Sequence, residues 1–315
     1  MTDAVQRYDC PGCGAEVAFP ATVLSQLCAF CETPLVKSAD TDAEPIDTVA
    51  PFELDAKQAA GRLAQHLSGR WLAPEGVRKA GRPEELKAVL VPFWAHDATA
   101  RSQWRAEVGI TWYSTETYTV TVNGKTQTRT RQKKHTDWHT TSGTHAAAYQ
   151  DHLVSGSRGL PEAEANELEP FDLGRALPFA PERVAGLVAE LPSVDHAEAR
   201  RVAADELERA ERKAIATFLP GDSSRGLNTT STVEVQAVRL VLLPVWIATW
   251  KWKGDVIRLN VNGQTGEVVG SVPRSTLKIV ALVALVLGLL ATALICAGAF
   301  TAIAALLDQH VGGLR

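Results

Sequence analysis

Cys10-Pro-Gly-Cys-Gly-Ala-Glu-Val-Ala-Phe-Pro-Ala-Thr-Val-Leu-Ser-Gln-Leu-Cys-Ala-Phe-Cys31 is the stretch whose reading sets the N-terminal fold. It contains two Cys-x-x-Cys pairs, Cys10/Cys13 and Cys28/Cys31, with fourteen residues between them. Two residues between cysteines let one tight turn aim both thiolates at a metal. Two such knuckles complete a tetrahedral shell with bonds of about 2.3 Å. Four thiolates leave no open coordination position, so the expected cofactor is one structural Zn2+ and no catalytic metal. Residues 15–20 and 22–27 read as short strands, too little structure to fold without the ion. Paired disulfides and a thioredoxin-like redox motif are the competing readings. A reducing cytoplasm disfavours the first, and the duplication of the pair disfavours the second. Gly14 suits the left-handed turn of the first knuckle, whereas Glu32 stands where the second would place its glycine.

Moving outward, residues 1–50 carry only Arg7 and Lys37 against eight carboxylates, a balance that argues against a phosphate-binding ribbon surface. The first ten residues have no basic segment followed by an apolar one, so a cleaved secretory signal is not expected. Residues 38–48 read as an acidic linker between the ribbon (1–37) and a cytoplasmic α+β domain (49–275). Arg outnumbers Lys by about two to one and Ala is abundant, in keeping with a GC-rich bacterial genome.

At the other end, residues 279–307 are free of charge, longer than the roughly 20 residues that span a bilayer, and predict a single-pass transmembrane helix. Arg274 and Lys278 precede it, which places the N-terminal side in the cytoplasm at the inner (cell) membrane. Ala281, Ala284, Gly288 and Thr292, then Ala293, Ala297, Thr301 and Ala305, put small residues about one turn apart and allow a homo-oligomer through this helix. Cys296 reads as packing.

Between ribbon and anchor, Asp55 predicts a helix cap, with Leu63, His66 and Leu67 on one face. Residues 87–94, 99–113 and 116–122 read as strands, and Asn123-Gly124 and Asn262-Gly263 each read as a two-residue hairpin turn. Helices are expected at 161–168, 181–190 and 194–218, the last with Val202, Leu207, Ala210, Ala214 and Ile215 as its stripe. The fold class is therefore α+β: a zinc ribbon, a mostly antiparallel β domain with inserted helices, and one C-terminal span. Val89-Leu-Val-Pro-Phe-Trp94 resembles Leu242-Leu-Pro-Val-Trp246, which suggests an internal β repeat at 87–127 and 238–270.

No catalytic constellation emerges, and the chain is not expected to be an enzyme. Gly124-Lys125-Thr126 lacks the upstream glycine of a phosphate loop, and there is no Gly-x-Ser-x-Gly elbow or His-Glu-x-x-His. His135, His139, His145 and His152 crowd one stretch without an established metal-ligand spacing. Lys125, Arg129, Arg131, Lys133 and Lys134 form a basic hairpin suited to anionic lipid or an acidic partner.

Taken in order, Cys-Pro-Gly-Cys-Gly, Cys-Ala-Phe-Cys, Val-Ala-Pro-Phe (49–52), Val-Leu-Val-Pro-Phe-Trp (89–94), Leu-Glu-Pro-Phe-Asp-Leu (168–173), Val-Asn-Gly-Gln-Thr-Gly-Glu-Val-Val-Gly (261–270) and the apolar tail resemble a known group. It is the family of bacterial membrane-anchored proteins with a TFIIB-type zinc ribbon, often labelled primosomal protein N-prime or replication restart helicase. This chain has no helicase core, so no helicase activity is carried over. The resemblance implies a scaffold in a membrane stress module, with flotillin-like and phage-shock-protein-like cytoplasmic partners. The alternative is nucleic-acid binding through the ribbon, in replication or transcription.

Overall fold

A computed structural model describes residues 5–14, 16–20, 22–28, 31–37, 44–78, 86–122 and 125–293. Asn123-Gly124, most of the acidic stretch 38–48, Cys296, Ala297, Thr301, Ala305 and the rest of the apolar run beyond Ala293 lie outside them. The fold is mixed, with helices on a large, mostly antiparallel sheet. Contacts divide the chain into two compact units: residues 1–53, 88–245 and 262–265, and residues 54–87, 246–261 and 266–315.

In the first unit, β1 (Val5–Asp9) pairs antiparallel with β2 (Glu16–Pro20), and β3 (Val23–Leu27) with β4 (Pro34–Val36). The second ribbon hairpin joins the larger sheet, since β3 also pairs with β9 (Val188–Glu190). Buried Ser25 secures that junction by donating to the carbonyls of Leu187 and Val184 at 2.7 and 3.1 Å. A helix was expected over 181–190. It is one turn, α4 (Pro181–Val184), followed by β9, because Val188 and Ala189 are needed to pair in parallel with Val89 and Leu90.

The three strands expected over 87–122 are one, β6 (Leu86–Val122). From Phe93 to Val122 it pairs with β7 (Lys125–Ser155), with an irregularity in register between His96 and Ala98. On its other side lies β10 (Ser223–Trp252). Contacts from Asp97 to Arg239, Ser102 to Ser231 and Glu107 to Arg225 show that β6 and β10 run antiparallel. α3 (Glu162–Leu168) and α5 (His196–Phe218) pack on β7. The stripe of α5 is Ala199, Ala203, Leu207, Glu211 and Ile215, so Ala210 and Ala214 give way to a buried carboxylate.

In the second unit, α1 (Ala56–Gly69) begins at Asp55, whose carboxylate accepts from the Gln58 amide at 2.7 Å while the Gln58 side chain answers the Asp55 amide. Its Ala59, Ala60, Leu63 and Leu67 pack with Ile257, Leu259 and Val261 of β11 (Asp255–Asn262). The β10–β11 hairpin closes through Lys253 and Gly254, both with positive φ (51° and 95°), as a two-residue primed turn requires. Asn262-Gly263 does open a turn, from β11 back to Val268-Val269, which pair antiparallel with Val261 and Asn260, but that turn is longer than two residues. The Asn262 side chain accepts from the amides of Gln264 and Thr265 and donates to the carbonyls of Leu168 and Pro170. Among the described residues one helix, α6 (Thr276–Ala293), is long and apolar enough to cross a membrane, with mean hydropathy 2.3 and none of it buried.

Around Pro92-x-Trp94 and Pro244-x-Trp246 the chain makes matching contacts. The Gly156 amide donates to the Pro92 carbonyl and the Gly263 amide to the Pro244 carbonyl, each at 2.8 Å. The Trp94 indole donates to the Val194 carbonyl (2.9 Å), one residue before the cap of α5. The Trp246 indole donates to the Leu54 carbonyl (3.0 Å), one residue before the cap of α1. Asp195 caps α5 as Asp55 caps α1. The Ser193 amide reaches the Gly156 carbonyl as the Glu53 amide reaches that of Gly263. The short strands obey the same rule: β5 (Thr48–Val49) runs parallel to β10, as β9 does to β6.

Candidate metal centre

Each knuckle is the turn of a hairpin, the first between β1 and β2 and the second between β3 and β4. In both, the amide four residues on bonds back to the first cysteine's carbonyl: Gly14 to Cys10 at 2.8 Å and Glu32 to Cys28 at 2.9 Å. Gly14 has φ 72°, and Glu32 adopts the same left-handed conformation at φ 58°, so the missing glycine leaves the second turn intact. A side chain at Gly12 would strike the Thr33 hydroxyl, since its Cβ would lie 2.2 Å away. The two knuckles are thus closely apposed.

The four sulfurs lie within 4.8 Å of one another, with Cys10–Cys31 at 3.6 Å and Cys13–Cys28 at 3.9 Å. A tetrahedron with metal–sulfur bonds of about 2.3 Å has edges of about 3.8 Å, so these separations fit one ion inside the cage. The Thr33 hydroxyl, 3.0 Å from the Cys31 sulfur, heads the bonds that hold that thiol down to about 6. For Cys10, burial raises the pKa, but backbone bonds from Cys13 and Gly12 outweigh it and the net shift is downward. Both effects favour thiolates, the form that binds metal. Cys10 and Cys28 are buried with Val17 and Leu35, whereas Cys13 and Cys31 face solvent. Four close cysteines can hold a metal ion, and among the described residues they are the one such group of histidine, cysteine and carboxylate side chains.

The histidines are dispersed. His145 Nδ1 lies 2.8 Å from Glu211 and His152 Nε2 3.1 Å from Glu206, both on α5, while His135 stacks on Trp112 at 4.3 Å. Glu211 also accepts from Ser102 and Tyr149, each at 2.7 Å. Burial raises its pKa, yet these three donors bring it below the ordinary carboxylate value. The sequence signal for this site was a carboxylate in step with Ala199, Ala203 and Leu207, where a core residue belongs.

The five basic residues separate by face. Cross-strand pairing of Ser114 with Lys133, Glu116 with Arg131 and Tyr118 with Arg129 puts Lys125, Arg129, Arg131 and Lys133 on one side, and Lys134 opposite Tyr113 on the other. Glu116 binds Arg131 at 2.8 Å and sits 3.9 Å from Lys133, and the bond from Arg131 keeps its carboxyl below the usual range.

No family model matches the chain, and no solved structure matches it. It is similar to a protein of Bacillus subtilis (strain 168), the uncharacterized protein YdjG. The two are 24% identical over 249 residues, an alignment that takes in 74% of this chain and 65% of that protein's length.

Proposed function

We propose that the four cysteines hold one structural zinc ion and that the helix beginning at Thr276 attaches the chain to a membrane, where the protein acts as an adaptor for cytoplasmic partners. The observation that carries this reading is α6, an apolar helix none of whose described residues is buried. Leaving such a helix in water costs about 25 cal/mol per Å2 of apolar surface, a cost that a bilayer removes. Lys278 anchors the start of α6 by donating to the carbonyls of Trp71 and Ala73 at 2.7 and 2.8 Å. The cage serves shape rather than chemistry, because a four-thiolate shell offers a substrate no coordination site. A stress-module role, with flotillin-like or phage-shock-protein-like partners, follows from the resemblance of the motif order.

Metal analysis of the full chain should give one zinc per chain, and Cys13→Ser with Cys31→Ser should abolish it. The full chain should sediment with membranes and resist carbonate extraction, while a chain ending at residue 275 should not. From detergent, the full chain should co-purify defined cytoplasmic proteins. A zinc-free chain, or one soluble without detergent, would overturn the reading. Salt-dependent retention on DNA that is lost in Cys10→Ser would replace it with nucleic-acid recognition by the ribbon.

A further inference from the structure

Beyond Gly109 the β6–β7 pair leaves its neighbour. The Asp222 amide bonds to the Gly109 carbonyl and the Asp222 carboxylate caps the Thr111 amide, where β10 is only beginning. From Thr111/Thr136 to Val122/Lys125 the two strands continue as a ribbon, about 40 Å long at roughly 3.3 Å per residue. Its described side chains are exposed or half-exposed, with none buried.

The two faces differ in chemistry. One presents Thr115, Thr117, Thr119 and Thr121 against Gln132, Thr130, Thr128 and Thr126. The other sets Ile110, Trp112, Tyr118 and Val120 on β6 beside Lys133, Arg131, Arg129 and Lys125 on β7. Ile110 and Trp112 are 53% and 44% exposed. Among the described residues, Lys125 and Arg129 have no ion-pair partner.

We propose that the face carrying Lys125, Arg129, Arg131 and Lys133 beside Trp112 and Tyr118 docks on an anionic lipid surface; this rests on the membrane attachment proposed above. Cations on one face of the ribbon, with tryptophan and tyrosine alongside, match the headgroup layer, where phosphates attract the cations and amphipathic rings settle. Each cation near such a surface strengthens binding about fivefold. A membrane anchor in the same chain raises the arm's local concentration at lipid. Nucleic acid fits this face less well. Stacking on bases needs free ring faces, but Trp112 is already stacked on His135 and Tyr118 lies under Arg131 at 5.3 Å. Glu116 in mid-face also repels a fixed row of phosphates, whereas fluid lipids rearrange around it.

The test uses the full chain reconstituted in phosphatidylcholine vesicles with or without about 30% phosphatidylglycerol, a content chosen to give a strongly negative surface. Lysines are acetylated briefly with a water-soluble ester and read by mass spectrometry, with exposed Lys57 and Lys213 as references. On anionic vesicles, Lys125 and Lys133 should react about fivefold more slowly, an effect removed by about 0.5 M salt. Lys134, on the threonine face, should be unchanged. Lys125→Glu with Arg129→Glu should restore the reactivity of Lys133. Equal labelling on both lipids, or protection of Lys134 alongside Lys133, overturns face-specific docking while leaving attachment standing. Protection by added duplex DNA on neutral vesicles, with none from anionic lipid, overturns it in favour of nucleic acid. A chain that floats with neither vesicle fails both attachment and docking.

Discussion

The β6–β7 and β10–β11 hairpins share their foundations and differ in what is built on them. Both rest on a proline carbonyl held by a glycine amide and an indole held by the carbonyl before a capped helix. Yet the return strand is 31 residues in the first and 8 in the second. The helices differ as well. α1 meets its hairpin with an apolar stripe, whereas α5 buries Glu211 against Ser102, His145 and Tyr149. The shared contacts therefore belong to the fold. The added length and the buried carboxylate are what distinguish the first hairpin from the second.

The largest effect should come from setting the two helix interfaces against each other. Glu211→Ala leaves buried Ser102 and half-buried His145 and Tyr149 without this acceptor and should cost about 3 kcal/mol in denaturant unfolding, comparable to Leu63→Ala in α1. The difference should lie in repair: Glu211→Gln should recover part of the loss, because an amide oxygen still accepts. An Ala variant within 1 kcal/mol of the parent would mean that the polar latch is idle.

Next come the equivalent glycines. A Cβ on Gly156 would stand 2.9 Å from the Pro92 carbonyl oxygen. On Gly263 it would stand 2.8 Å from that of Pro244 and 2.7 Å from the Phe52 ring. Both Gly→Ala changes should destabilise by about 2 kcal/mol in the same assay, Gly263→Ala the more. If only one did so, the equivalence of the two sites would fail.

The smallest effect should follow the largest excision. Replacing residues 112–135 with Asn-Gly makes the first hairpin resemble the second. Since none of the described side chains it deletes is buried, the free energy of unfolding should shift by less than about 1 kcal/mol. A collapse of stability would show that the arm belongs to the core rather than projecting from it.

Local chemistry was readable wherever it repeats at short range. Cys-x-x-Cys announced the cage, Asp55 its helix, and the alternation on either side of residues 123–124 a hairpin in which Val122 pairs with Lys125. Long-range pairing was not readable. Residues 181–190 have helical character, but Val188 and Ala189 become a strand because β6 and β3 offer partners on both sides. The Lys253-Gly254 turn was not anticipated, since lysine resists positive φ; the strands of β10 and β11 on each side impose the geometry.

What the chain's own order of residues determined is whatever four or five neighbours can settle: knuckles, caps, apolar periods and the uncharged run toward the C-terminus. What only tertiary structure decided is which partners those pieces found. The sorting of cations onto one face, the burial of Glu211 and the twofold use of proline, glycine and tryptophan all depend on strand register. Register is set by pairing between segments far apart in sequence, where a slip of one residue would exchange the faces of the sheet.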